Sequence, residues 1–130
     1  MLESLYPHIA GFHSIFRWVV LIASIAALFV AFGGWRGTKP PGPSLLRLGV
    51  IYVLTMDLEL ISGLLLYFGG SSNLRSIFLS HLVAMLMAVL LAHIGGALTR
   101  KAPTDALKFR GPAVAWSLSL LVMLAGIPRH

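Results

Sequence analysis

Four long apolar stretches restrict what this chain can fold into. They cover residues 18–35, 48–68, 76–99 and 111–128. Each has roughly the 20 residues that a helix needs to cross the hydrocarbon core of a bilayer. Because an unpaired backbone group in lipid costs several kcal/mol, helices are the expected structure at these lengths. The pattern predicts a protein that crosses a membrane four times.

The composition supports this prediction. Hydrophobic residues make up 58% of the 130 residues and charged residues only 11%, whereas a soluble domain carries about 25% charge. The chain has no cysteine, which excludes zinc–thiolate sites, iron–sulfur clusters and covalently attached haem. A chain of this length corresponds to one domain.

Short connections between the stretches predict how the helices are arranged. Turn-forming residues fill the connections at 38–43 and 69–73. Short connections make consecutive helices antiparallel neighbours. We therefore predict an all-α membrane protein, a single domain over residues 1–130 with up-down-up-down topology. The predicted helices cover about 13–35, 46–68, 76–99 and 111–128.

Basic residues predict the orientation. The first connection contains Arg36, Lys39 and Arg47, the third contains Arg100, Lys101, Lys108 and Arg110, and the second contains only Arg75. By the positive-inside rule, the first and third connections are cytoplasmic and both termini lie outside, on the periplasmic side of a bacterial inner membrane. The net charge of +6 is thus explained as a topology signal, and we expect no nucleic-acid partner.

Aromatic residues agree with this orientation. Trp18 and Tyr67 are expected near the outer membrane interface, and Trp35, Tyr52 and Trp116 near the inner one. Such belts place amphipathic rings at the level of the lipid headgroups.

Small residues at helical spacing predict the surfaces that pack together. Helix 3 carries Ala84, Ala88, Ala92 and Gly96, and helix 1 carries Ser24, Ala27 and Ala31. In membranes, helices associate by close approach of small residues. His13 and His81 share these faces, near the first ends of helices 1 and 3. Helices 1 and 3 are diagonal in such a bundle, so both imidazoles could ligate one haem iron from opposite sides.

Three arginines are candidate partners for haem propionates: Arg17, Arg75 and Arg129. Arg17 follows His13 by one helical turn, and the other two are expected at the outer surface. An alternative remains open, in which the two histidines are buried and hydrogen-bonded to Glu59 or to backbone, with a structural or proton-handling role.

Two carboxylates interrupt the second stretch. Asp57 and Glu59 point about 160° apart on a helix, so they cannot form a shared pair. Glu59 shares its face with polar and small residues, and we expect it inside the bundle within reach of Arg17 or His13. Asp57 shares its face with apolar residues and is predicted to face lipid, either neutral or in contact with another subunit or copy. His93 is expected to be hydrogen-bonded across a helix gap and not to bind a second haem.

Several short motifs carry a family resemblance. They are His13-Ser14-x-x-Arg17-Trp18, the segment Ser62-Gly63-Leu64-Leu65-Leu66-Tyr67-Phe68, His81, and Ala125-Gly126-Ile127-Pro128. With them the chain resembles a group of small four-helix bacterial membrane proteins labelled cytochrome-b-like. The resemblance implies haem binding. The chain departs from the group at Asp57 and Glu59, where members tend to carry His and Gln.

These observations predict a small haem-b electron-transfer protein near the outer face, exchanging electrons with a quinone or an external cytochrome and not acting as an enzyme. His13 and His81 would be the axial ligands, and Glu59 would support them or accept a proton. The alternative is a non-catalytic accessory subunit of a larger membrane complex or a homo-oligomer, with Asp57 as a candidate contact. A proton or cation pathway through Glu59, Asp57 and His93 is less favoured because these residues do not share a face.

Overall fold

A computed structural model describes residues 2–37 and 40–127, which contain four α-helices. The helices are α1 (Leu2–Arg36), α2 (Pro43–Gly69), α3 (Ser72–Lys101) and α4 (Asp105–Ala125). All four are long and apolar enough to cross a membrane. The prediction of an all-α protein with four membrane helices is confirmed. The chain forms a four-helix bundle.

All four helices begin before the predicted bounds, and α1 and α4 do so by the most. α1 starts at Leu2 and not near residue 13, and α4 starts at Asp105 and not near residue 111. The side chain of Thr104 accepts a hydrogen bond from the Leu107 backbone N–H at 3.2 Å and so caps α4. An apolar stretch marks only the part of a helix suited to hydrocarbon, whereas the helix itself continues until a cap or a turn ends it.

Each helix packs against its neighbours in chain order, and α4 also packs against α1. Within the described residues, the backbones of α1 and α3 do not approach each other closely, and neither do those of α2 and α4, which meet only through side chains. α1 and α3 are therefore diagonal in the bundle, as expected for the helices that carry His13 and His81.

The predicted small-residue stripes lie at these packing surfaces. Ser24, Ala27 and Ala31 on α1 are fully buried, as are Ala88 and Ala92 on α3. Large apolar side chains point away from the bundle, including Phe29, which is 80% exposed. An apolar outer surface of this kind suits contact with membrane lipid.

One half of the bundle is closely packed around Trp116. Its ring is fully buried, and a Cβ atom added at Gly95 or Gly49 would collide with it. The indole Nε1–H donates to the Ala92 carbonyl at 3.1 Å. The two glycines thus provide the room that a large aromatic ring requires between closely approaching helices.

A second contact in this half involves Tyr52 and Ser119. The Ser119 hydroxyl donates to the Ala88 carbonyl at 2.7 Å, so it accepts from the Tyr52 hydroxyl, also at 2.7 Å. Tyr52 and Trp116 meet edge to face, with ring centroids 5.9 Å apart. Neither ring can contact lipid headgroups as an aromatic belt requires, because both are fully buried inside the bundle.

Candidate functional site

The other half of the bundle contains a cavity of about 440 Å³. All four helices contribute to its wall, together with Ile127 just beyond α4. The side chains on it that can form polar contacts are Tyr6, His13, Ser14, Arg17, Glu59, Tyr67 and His81. The remaining wall is mostly apolar and includes three methionines, Met56, Met85 and Met123. This volume lies in the range of cofactor and ligand sites, roughly 300–1,000 Å³.

His13 is held by two residues of α2. Its Nδ1 lies 2.8 Å from the Ser62 hydroxyl and 3.2 Å from Glu59 Oε1. The Ser62 hydroxyl donates to the Glu59 backbone carbonyl at 2.9 Å, so its oxygen can accept from the His13 Nδ1–H. With the proton on Nδ1, the neutral ring keeps its lone pair on Nε2.

Two features of α2 bring His13 to this position. Glu59 and Ser62 are three residues apart, which places both on one face of the helix. At Gly63, an added Cβ atom would lie only 3.1 Å from His13 Cε1. The missing side chain at Gly63 therefore lets the imidazole lie directly on the helix backbone.

Glu59 is buried at the cavity wall. The prediction that it lies inside the bundle within reach of His13 is confirmed by the 3.2 Å contact. Arg17 also lines the cavity, and its guanidinium lies 5.6 Å from the centroid of the Trp18 ring. A cation over an indole face gains a favourable electrostatic contact and leaves its outer N–H donors for other partners.

A backbone carbonyl orients the His81 ring. Its Nδ1 lies 2.8 Å from the carbonyl oxygen of Gly126, immediately after α4. A carbonyl can only accept, so Nδ1 carries the proton and Nε2 keeps the lone pair of the neutral ring. The last carbonyls of a helix have no partner within the helix, which makes this oxygen available.

Gly126 also brings α4 close to α3. A Cβ atom added at Gly126 would collide with the Cβ of Ala84, one turn from His81. The close approach permitted by these two small residues is what brings the carbonyl within reach of the imidazole.

The positions and hydrogen bonds of the two histidines bear on whether the cavity can hold a haem. They lie on diagonal helices and line the same cavity, and across the described ranges neither Nε2 has a hydrogen-bond partner. Metal-ligating histidines usually donate their other N–H to a carboxylate or a carbonyl, as the Nδ1 contacts allow here. Within residues 2–37 and 40–127, no group of three or more His, Cys, Asp or Glu could hold a metal ion. A two-imidazole donor set suits haem, because the macrocycle supplies the other four ligands.

The other predicted site residues are placed differently. Arg75 donates to the Gly70 carbonyl at 3.0 Å and is absent from the cavity wall. It therefore closes the turn between α2 and α3. Arg129 lies outside the described residues. The contact between His81 and Gly126 was not predicted, since nothing in the sequence distinguishes a carbonyl that will accept a long-range hydrogen bond.

Asp57 and His93 form a second polar contact away from the cavity. His93 Nε2 lies 2.8 Å from Asp57 Oδ1, joining α3 to α2. The prediction that His93 bonds across a helix gap is confirmed. Asp57 lies on the outward side of α2, as predicted, and α3 brings an imidazole to its side. The pair is still partly open, with side chains 34% (Asp57) and 50% (His93) exposed.

Comparison with protein-family models, with curated proteins and with solved structures gives no match to this chain. The function is therefore inferred from the cavity and its side chains.

Proposed function

We propose that this is a small membrane protein that binds haem b and transfers electrons near the outer face of the membrane. The observation that carries the proposal is the pair of cavity-lining histidines, each with Nδ1 hydrogen-bonded inside the bundle and Nε2 without such a partner among the described residues. The contacts of His13 and of His81 use only Nδ1. Nε2 of each ring is therefore left to bind iron.

In this proposal the chain's own residues divide into three groups. His13 and His81 would hold the iron, Ser62, Glu59 and the Gly126 carbonyl would orient the two rings, and Arg17 would pair with a propionate. A haem b held by two imidazoles would supply one-electron transfer. The apolar wall would keep water away from the iron and so influence its potential.

The helix contacts support an up-down-up-down arrangement. His13 near the start of α1 meets Ser62 near the end of α2, whereas Gly34 near the end of α1 meets Phe109 near the start of α4. With the basic first and third connections in the cytoplasm of a bacterium, both termini and the cavity lie toward the periplasm. A quinone in the outer leaflet or an external cytochrome is then the expected redox partner.

A reduced-minus-oxidised optical spectrum tests the proposal. The protein is purified in mild detergent from cells with ample haem, and its pigment is identified as the pyridine haemochrome. We expect a b-type spectrum in the unchanged protein and its loss in both His13→Ala and His81→Ala. His93→Ala is the matched control, since His93 lies outside the cavity, and it should retain the full spectrum.

Two results would contradict the proposal. A folded but colourless preparation of the unchanged protein would remove the haem function. A b-type spectrum that persists in either cavity variant would show that the axial ligands are other residues. Far-ultraviolet circular dichroism on every variant separates the loss of haem from the loss of the helices.

A further inference from the structure

The Asp57–His93 pair lies on the outer surface of the bundle between α2 and α3. Asp57 is near the middle of α2, and half of the His93 side chain is exposed. The residues one helical turn away on the same faces are large and apolar: Leu54, Ile61 and Leu90, all of them exposed. A carboxylate–imidazole pair therefore faces outward at the depth of the hydrocarbon, where ionisable groups are normally turned inward.

The number and position of the protons on Asp57 and His93 determine which further hydrogen bonds the pair can form. A net charge in hydrocarbon is far more costly than a neutral pair, so the favoured form has two exchangeable protons in all. Either both are on the imidazole, or one is on the Asp57 carboxyl and one on His93 Nδ1. In both forms Nδ1 keeps an N–H to donate and Asp57 Oδ2 keeps a lone pair to accept.

Neither of these groups has a hydrogen bond among the residues that the structure describes. Lipid chains offer no donor and no acceptor, so contact with lipid leaves both groups unsatisfied at a cost of free energy. A protein surface that covers this patch must supply one acceptor and one donor at the same depth.

We propose that the surface around Asp57 and His93 binds a second copy of this chain in a symmetric dimer. The patch is complementary to itself, because it carries one spare donor and one spare acceptor. A two-fold axis along the membrane normal keeps equal residues at equal depth. In that arrangement His93 of each copy donates to Asp57 of the other, and both groups are satisfied. The proposal is independent of haem binding.

The contacts between α2 and α3 define which residues should meet in the dimer. Val53 is the close neighbour of Gly96, and Asp57 is the partner of His93. The two helices are therefore antiparallel, and residues later in α2 lie beside residues earlier in α3. Ile61 and Leu90 lie about one turn from the pair in the same direction, so Ile61 of one copy should approach Leu90 of the other.

Disulfide cross-linking in native membranes tests the dimer, because the chain has no cysteine of its own. Two full-length chains with different tags are co-expressed, one with Ile61→Cys and the other with Leu90→Cys, and are oxidised. We expect a disulfide-linked product that carries both tags. The control replaces Leu90→Cys with Phe29→Cys, on the exposed face of α1, and should give only the background of random collisions.

A second variant tests the role of the polar pair. Asp57→Leu together with His93→Leu, in both cysteine chains, removes the two intermolecular hydrogen bonds. Hydrogen bonds between membrane helices contribute modestly, so the loss of two should lower the cross-linked fraction at limiting density about tenfold. Labelling with a membrane-permeable maleimide verifies that both cysteines remain present and reactive.

Three outcomes would overturn the proposal. One is a yield of the disulfide-linked product that is no higher than in the Phe29→Cys control, although both cysteines react with maleimide. Another is a yield that the double leucine variant leaves unchanged. The third is a cross-link to a different protein in place of the second tag, which would assign this face to a larger membrane complex.

Discussion

His81 on α3 donates its Nδ1–H to the carbonyl of Gly126, immediately after α4, over 2.8 Å. The contact joins a side chain at one end of the cavity to a helix terminus 45 residues away in the sequence. Because a carbonyl can only accept a hydrogen bond, Nδ1 of His81 must carry the proton. In the neutral ring Nε2 is then the nitrogen left for a ligand.

Gly126→Ala should weaken both the fold and the proposed haem site. The new methyl group would collide with Ala84 and move the Gly126 carbonyl away from His81. Overpacking of this kind typically costs about 1–3 kcal/mol. Denaturant titration in detergent should show the lower stability, and the pyridine haemochrome should show less haem per protein. Gly11→Ala is the control, since nothing lies within 4 Å of its added Cβ, and it should lower neither value.

Gly63→Val should displace His13 without disrupting the helices. Even the Cβ atom would lie 3.1 Å from His13 Cε1, and the valine methyl groups extend further toward the ring. Since changes around a ligating histidine cost 10–100-fold in metal affinity, we expect a drop of about tenfold in haem affinity. Gly11→Val, at a helical glycine with nothing within 4 Å of its added Cβ, makes the same change in helix propensity and should keep its haem. Equal haem content in the two variants would contradict the contact.

Gly95→Ala and Gly33→Ala should have opposite effects on stability. At Gly95 the new methyl group collides with the Trp116 ring, whereas at Gly33 nothing lies within 4 Å. We expect Gly95→Ala to lower the free energy of unfolding by about 1–3 kcal/mol. Gly33→Ala should raise it by up to about 1 kcal/mol, because alanine loses less backbone entropy in a helix. Denaturant titration of both proteins in the same detergent compares them directly.

Ser119→Ala should cost more stability than Tyr52→Phe. Removing the serine hydroxyl leaves the buried Tyr52 hydroxyl without its acceptor, a loss of about 1–3 kcal/mol. Tyr52→Phe removes the donor itself and leaves Ser119 bonded to the Ala88 carbonyl, at a cost of about 1 kcal/mol. The double variant should be more stable than the sum of the two losses predicts. Strict additivity in this cycle would mean that the two hydroxyls do not interact.

Much of the fold could be predicted from local patterns. The four apolar stretches identify the four helices, because a backbone in lipid must satisfy its hydrogen bonds within the segment. The spacing of Ala27, Ala31, Ala88 and Ala92 identifies the packing faces, because position on a helix follows directly from residue number. Glu59 could be assigned to the interior for the same reason, since it shares a face with Ser62.

The features that the sequence did not predict have a common cause. Asp57 was predicted from the apolar residues on its own helix to lie on the outer face, and it does, but its partner His93 comes from another helix. Tyr52 and Trp116 were predicted at the membrane interface, but glycines on neighbouring helices provide space for Trp116 inside the bundle. Helix periodicity gives the direction in which a side chain points and contains no information about what the adjacent helix offers there.

The amino-acid sequence by itself therefore determined the number of helices, their suitability for a membrane and the faces on which they pack, all of which depend on local composition and periodicity. Only the tertiary structure decided which groups meet: His13 with Ser62 and Glu59, and His81 with the Gly126 carbonyl. These contacts depend on how closely the helices approach and on their relative axial positions. Both are set by the fit of many side chains at once, which no single stretch of sequence specifies.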